Sequence, residues 1–407
     1  MSAHRVASAL ASVLLVLASG LGPAAAAAAS RPAPAPAELR GLWVVRTALV
    51  SPQEVDRVVD EAADAGFNAL FVQVRGRGDA FYRSRLVVRS PLLERQPRSF
   101  DPLGRLIARA HARRLQVHAW TNVLLTAHFG QPLPRDHVVV RHPDWVMAPK
   151  SVASAALVAR GERRLKLILE AGRAEGDVEG YYLSPAVPEV GTLLEGVVRE
   201  LVGSYALDGL HLDFIRYPGP TFDWSRASLE GFRREVGAGD LLSAPLRSPA
   251  AWDEYRRRTL TALAARLADA ARAERPGLVI SAAVAPDEAQ AVAQKFQDWP
   301  RWLETGILSA VCPMTYTTDD RIFQSQLETA RARASRGQPV WAGVGAYRLD
   351  PVGVVEKVTL ARQLGARGVV LFSHESLDAD HLRLLREEAF SVTAASRAPV
   401  LGIAGSR

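Results

Sequence analysis

Short apolar runs alternate with amphipathic stretches along most of this chain. Eight of the runs have the length of strands: Gly41–Arg46, Ala69–Arg75, Gln116–Asn122, Gly209–Arg216, Leu278–Ala285, Leu308–Tyr316, Pro339–Gly345 and Gly368–His374. Most are continuous rather than alternating, as expected of parallel strands covered on both faces. Helical spacing fills the gaps between them. Pro52–Ala65 has Ser51 as its N-cap, proline at the first helical position and Gly66 as its stop. Asp101–Arg114 repeats that logic with Asp101 ahead of Pro102, and Tyr255–Glu274 is a longer amphipathic run ending before Pro276.

This alternation predicts an α/β fold, a (β/α)8 TIM barrel over residues 38–390, rather than an open doubly wound sheet. No glycine-rich dinucleotide fingerprint follows a strand; the Arg-Gly-Arg-Gly-Asp run from Arg75 leads into a loop and lacks the spacing. Long loops follow the third and fourth strands, Val123 to Glu189 and Tyr217 to about Ala251. Both leave strand C-terminal ends, the active-site face of such a barrel. Within the first, Val152–Glu175 suits either a helix or an extra hairpin.

The ends of the chain read differently. His4 and Arg5 precede an apolar run from Val6 to Leu21, and Ala24 to Ala29 offers small residues for cleavage, so residues 1–29 are expected to be a signal peptide. As a membrane anchor the run is short, carries Ser8, Ser12 and Ser19, and ends in a cleavage-like site. Residues 30–37 are expected to form a Pro/Ala linker and residues 391–407 a flexible tail. The expected location is secreted, or periplasmic and envelope-bound, with no stable membrane insertion once the signal is removed. The single cysteine, Cys312, allows no intramolecular disulfide and stands far from a lipoprotein position.

Composition narrows the partners. With 48% hydrophobic and 23% charged residues, the chain can bury a sizeable core. Its net charge of +7 comes almost wholly from arginine, since the lysines are Lys150, Lys166, Lys295 and Lys357. Either arginine-rich codon usage or attraction to anionic wall polymers accounts for that. The arginines are dispersed, which argues against a nucleic-acid partner.

The strand ends gather chemistry that a purely structural barrel does not need. They offer Trp43 and Arg46; Gln73 and Arg75, then Asp79 and Tyr82; His118, Trp120 and Asn122; His211, Asp213, Arg216 and Tyr217; and later Asp287, Tyr316, Tyr347 and His374–Glu375. Aromatic rings beside carboxylates, amides and arginines suit sugars, whose ring faces are apolar and whose edges are hydroxyls. Side chains alternate along a strand, so His211 and Asp213 share one face and Leu212 and Phe214 the other. If the leucine and phenylalanine meet helices, Asp213 points into the barrel mouth. It is the leading catalytic candidate, a nucleophile or base held ionised by a nearby arginine; the alternative is a buried ion-pair partner for Arg216 or Arg75.

A glycosidase of the usual kind needs a second carboxyl as acid. Glu375 and Asp287 are the candidates, with Asp79 next as a substrate-binding residue. His118 and His211 are either hydrogen-bonding core groups or substrate contacts. No metal or organic cofactor is implied: His137 and His142 lie in a loop without a third patterned ligand, no G-x-S-x-G elbow occurs, and Cys312 sits mid-strand without a patterned histidine.

Several segments together resemble the glycosyl hydrolase-like family 10 proteins, a group distinct from the family 10 xylanases. They are RGLWV from Arg40, VQVRGRGDAFYRS from Val72, DPL from Asp101, VHAWTN from Val117, HPDW from His142, YALDGLHLDFIRYP from Tyr205 and PMTY from Pro313. The resemblance implies a TIM barrel, export or envelope attachment, and cleavage of a polysaccharide, notably peptidoglycan glycan strands stripped of peptides. It implies that Asp213 occupies the family's fourth-strand acidic position and that Gln73, Asp79, His118, Trp120, Asn122 and Tyr316 fall on cleft motifs. The chain departs from the pattern at Phe214, where many members have a second acid, and at Ser184 in Leu183-Ser184-Pro185-Ala186, where the family has Asp. A Trp-Arg-Arg-Asn signature survives only as Trp252 and Arg256–Arg258.

The resulting expectation is an exported glycoside hydrolase acting on an envelope glycan through Asp213 with Glu375 or Asp287. Trp43, Trp120 and Tyr316 serve as sugar platforms, and Arg75, Asn122 and Arg216 hold hydroxyls or carboxylates. The rival expectations are a non-catalytic glycan-binding barrel and a hydrolase of an exopolysaccharide.

Overall fold

The computed structural model describes residues 38–237 and 239–391; the expected signal peptide, linker and, apart from Ser391, tail lie outside them. Ten strands occur among the described residues: β1 (Leu39–Val44), β2 (Ala69–Arg75), β3 (Gln116–Asn122), β4 (Leu125–His128), β5 (Gly180–Tyr182), β6 (Gly209–Asp213), β7 (Val279–Val284), β8 (Ala310–Pro313), β9 (Trp341–Gly345) and β10 (Gly368–Phe372). Eight of them run parallel in the order β8-β7-β6-β3-β2-β1-β10-β9, and a parallel bridge between Val311 and Val340 brings the two end strands together. This is the expected (β/α)8 barrel, and each of the eight expected strands is found. The remaining two, β4 and β5, pair antiparallel within the long connection after β3.

Alternation along the strands sorts the core into two parts. Leu42, Val44, Leu70, Val72, Val117, Ala119, Leu210 and Leu212 pack outward against the helices. Trp43, Phe71, Trp120, Cys312, Trp341 and Val370 fill the barrel interior. Such a large aromatic filling needs small neighbours. A Cβ added at Gly209 would stand 2.1 Å from Nδ1 of His118, so the imidazole occupies the room a side chain would take.

Several strands end earlier than the apolar pattern suggests. The fourth barrel strand stops at Asp213 because Phe214 adopts a positive φ of 48°, which turns the backbone out of the sheet. The aspartate is thereby left at the rim. The helix starts follow the sequence reading: Ser51 accepts from Glu54 N–H and Asp101 from Gly104 N–H.

The two long loops are laced together above the barrel. Asp223, fully buried, accepts from the N–H of Ala148 at 3.1 Å and of Ser225 at 2.8 Å, and from Ser225 Oγ at 2.9 Å. Backbone bonds from Trp224 to Ala148 and from Lys150 to Thr221 run beside it. Ser184, the position at which the resemblance implies Asp, gives a further side-chain hydrogen bond to Asp223. A carboxylate there would set two acids side by side in a buried site. Val152–Glu175 resolves as two helices, Ala153–Val158 and Gly161–Ala174.

Candidate active site

A cleft of about 270 Å³ opens at the C-terminal end of the barrel strands. The strand register builds it. Gln73 lies beside Trp120 and Trp120 beside His211, while Asn122 lies beside Asp213. Trp43, Arg46, Gln73, Trp120, Asn122, Asp213, Arg216 and Tyr316 all line the cleft, with Val45, His128, Phe214, Ala283, Met314 and Phe372.

Asp213 is 7% exposed. Its Oδ2 accepts from the indole N–H of Trp120 at 3.0 Å, and its Oδ1 accepts from Phe214 N–H at 2.6 Å and faces Nη1 of Arg216 at 3.4 Å. Burial raises its proton affinity above the ordinary carboxylate range, and Arg216, the Phe214 amide and Trp120 oppose the rise without cancelling it. Arg216 favours the ionised form, as expected, but desolvation is the larger influence and sets the direction of the net shift. Of the two ion pairs in the alternative reading, the one with Arg216 forms and the one with Arg75 does not. Arg75 is wholly buried and donates to the carbonyls of Asn122 and Val123, holding the end of β3 rather than a ligand.

The walls are aromatic. Tyr316 stacks on Phe372 with centroids 5.5 Å apart, and Trp43 meets both edge-on at 6.2 and 5.8 Å. Tyr347 stands half-exposed at the rim, 6.1 Å from Tyr316. Along the polar wall, Arg46 Nη1 donates to Gln73 Oε1 at 2.8 Å, Gln73 Nε2 to Asn122 Oδ1 at 3.3 Å, and Asn122 Nδ2 to the carbonyl of Gly76 at 2.7 Å.

Both inward histidines belong to the barrel floor, beneath the cleft. His118 stacks on Phe71 at 4.5 Å, and burial lowers its pKa to about 4. His211 receives the indole N–H of Trp43 on Nε2 at 3.2 Å and contacts Ser281 Oγ through Nδ1 at 2.9 Å. An indole nitrogen only donates, so Nε2 accepts and the proton sits on Nδ1. Burial, with His118 adding to it, lowers the His211 pKa to about 3.

Other candidates lie elsewhere. Tyr217 is buried 5.1 Å from Phe296 and does not line the cleft. Asp79 accepts from Arg77 N–H at 3.1 Å and lines a neighbouring depression. The two carboxyls expected to pair with Asp213 do not line its cleft. Asp287 is an exposed helix cap accepting from Gln290 N–H at 2.8 Å, and Glu375 is exposed and bonded to Thr47.

Glu179, just before β5, is exposed and does not line the cleft, but it shares Arg216 with Asp213. Its Oε2 accepts from the hydroxyl of Tyr182 at 2.6 Å, and its Oε1 lies 3.7 Å from Nη2 of Arg216, whose Nη1 faces Asp213. One planar guanidinium reaches both groups, which keeps the carboxylates within roughly 10 Å of each other. Strand periodicity carried no signal for Glu179 because the residue sits in the insertion after β3. Phe372, which also lines the cleft, is legible by parity, since it shares a strand face with the inward Val370.

Residues 38–347 match the family model Glycosyl hydrolase-like 10. The chain is 23% identical over 396 residues to Glycosyl hydrolase YngK of Bacillus subtilis (strain 168), covering 85% of this chain and 70% of that one. It is 25% identical over 300 residues to Glycosyl hydrolase DigH of Escherichia coli (strain K12), covering 66% of this chain and 59% of that one. Among solved structures, the PgaB (BpsB) glycoside hydrolase domain from Bordetella bronchiseptica aligns with a TM-score of 0.65 at 16% identity, over 87% of this chain and 99% of that domain. Alpha-L-fucosidase isoenzyme 2 from Paenibacillus thiaminolyticus aligns with a TM-score of 0.61 at 16% identity, over 86% and 48%. These structural likenesses show the barrel fold.

Proposed function

The chain belongs to the Glycosyl hydrolase-like 10 family, which places it among the glycoside hydrolases, and from that premise we propose that it is exported and hydrolyses the glycan strands of peptidoglycan. The observation that carries the reading is a buried carboxyl, Asp213, at the floor of an aromatic-walled cleft at the catalytic end of the barrel. Export rests on the signal-like segment at residues 1–29, and no helix among the described residues is long and apolar enough to cross a membrane. The choice of peptidoglycan rests on the family resemblance.

Because burial raises its proton affinity, Asp213 is suited to act as general acid. It gives its proton to the glycosidic oxygen as the bond from that oxygen to the anomeric carbon breaks. Glu179, fixed by Tyr182 and Arg216, takes a proton from the water whose oxygen bonds to the anomeric carbon. A carboxyl separation of about 6.5–9.5 Å leaves room for that water and gives inversion. Trp43, Tyr316 and Phe372 offer rings for the sugar faces, and Gln73 and Asn122 offer partners for its hydroxyls.

The test is reducing-end release from intact and from peptide-stripped peptidoglycan by the protein and by its Asp213→Asn variant, with the product anomer read by NMR. Release that disappears in the folded variant supports the reading. Saturable binding with no release from either substrate replaces it with a non-catalytic glycan-binding barrel.

A further inference from the structure

Next to the Asp213 cleft lies a second depression of about 270 Å³, lined among others by Arg46, Arg77, Asp79, Leu92, Pro132 and Leu133. Arg46 lines both, so the two hollows meet at its guanidinium. The Nε atoms of Arg46 and Arg77 are buried and have no partner. One buried carboxylate, Asp79, attracts both cations and accepts from the Arg77 amide through Oδ1 at 3.1 Å. Glu375 attracts Arg46 from the exposed side. Each arginine is partly desolvated, and Arg77 weighs on Arg46 as a like charge. At the cleft edge both arginines add to burial in disfavouring the proton of His128, against the opposing influence of Glu179. His137 turns its Nε2 to the carbonyl of Arg77 at 2.8 Å and closes the far side. Two donor forks without enough acceptors, beside apolar Leu92, Pro132 and Leu133, complement a short acidic arm with a hydrocarbon stem.

We infer that this depression is a subsite for a carboxylate-bearing sugar adjoining the one cleaved at Asp213. Arg77 and the free edge of Arg46 bind the carboxylate, and the proline and leucine side chains cover its stem. The assignment rests on the proposed glycan-hydrolase reading and adds the chemistry of a neighbouring sugar. Strands whose lactyl ether is free of peptide present such a group, and so do polyuronates. The stem-covering wall favours the lactyl ether, because a uronate carboxyl sits directly on its ring.

The test uses the full chain carrying Asp213→Asn, so that binding is read without turnover, with and without Arg77→Gln and Arg77→Lys. Calorimetry is run with peptide-free peptidoglycan strands, with the same strands after reduction of their carboxyls to alcohols, and with a polyuronate. The expected result is about tenfold weaker binding on carboxyl reduction and a similar loss in Arg77→Gln, with partial rescue by lysine and no further effect of the variant on reduced strands. Tighter binding of the polyuronate than of the strands keeps the subsite and overturns the lactyl assignment. Equal affinity for native and reduced strands overturns the subsite itself, and this arm holds even if Arg77→Gln fails to fold. Hydrolysis by the unsubstituted chain is measured in parallel, so loss of the catalytic reading is distinguishable from loss of the subsite.

Discussion

Replacing Trp120 by phenylalanine tests which way the proton moves at Asp213. The substitution keeps a ring on the cleft wall but removes the indole N–H that Asp213 Oδ2 accepts at 3.0 Å. That bond favours the ionised carboxyl, and burial already favours the neutral one. A hydrogen bond to a charged group contributes about 1.5–3 kcal/mol, so its loss favours the protonated form about tenfold or more. If Asp213 is the general acid, activity falls on the alkaline side as it loses its proton, and that limb moves to higher pH by about one unit or more in Trp120→Phe. The assay is kcat/KM against pH on peptide-free strands, for both proteins. A base or nucleophile behaves oppositely: the acid limb moves up and the alkaline limb stays. That outcome would refute the acid assignment, as would a profile unchanged in both limbs.

Three further outcomes follow from the same groups. Glu179→Gln should lower kcat by about 10²–10⁴ with little change in KM, and Tyr182→Phe, which removes only the hydroxyl donor at 2.6 Å, should lower it less, both read by steady-state kinetics. Asp213 holds its proton more tightly folded than unfolded, so stability falls as pH rises through the folded value and the penalty is complete above it. Asp213→Asn should then melt higher at pH 8, by roughly 2–4 °C per kcal/mol relieved, with the gain shrinking toward pH 3 in calorimetric scans. His118 and His211, with pKa values of about 4 and about 3, are bound neutral; their contribution is complete above the unfolded value near 6.5 and is lost as pH falls through that window. Two imidazole resonances that keep neutral positions at pH 5 in NMR, with a melting temperature falling below pH 6.5, are the expected signs.

Much of this molecule was legible in the order of its residues. Strand and helix identity is local: continuous apolar runs, capping residues such as Ser51 and Asp101, and terminators such as Gly66 act within a few residues of themselves. Alternation likewise sends Leu212 outward and Asp213 inward whatever the rest of the chain does. What depended on the tertiary structure was depth and company. His118, Trp120 and Asn122 share a strand face, yet the first lies in the floor and the other two in the cleft, because height along the barrel axis follows from register with neighbouring strands. Asp287 and Glu375 follow barrel strands in sequence, but one caps a helix and the other turns to Thr47. Glu179, the carboxylate that shares Arg216 with Asp213, comes from an insertion with no periodic signal and reaches that arginine because β4 and β5 pair within it. The proton affinity of Asp213 was beyond the sequence for the same reason. A neighbouring arginine can be read from spacing, but the desolvation that outweighs it is the sum of every group packed around the carboxyl.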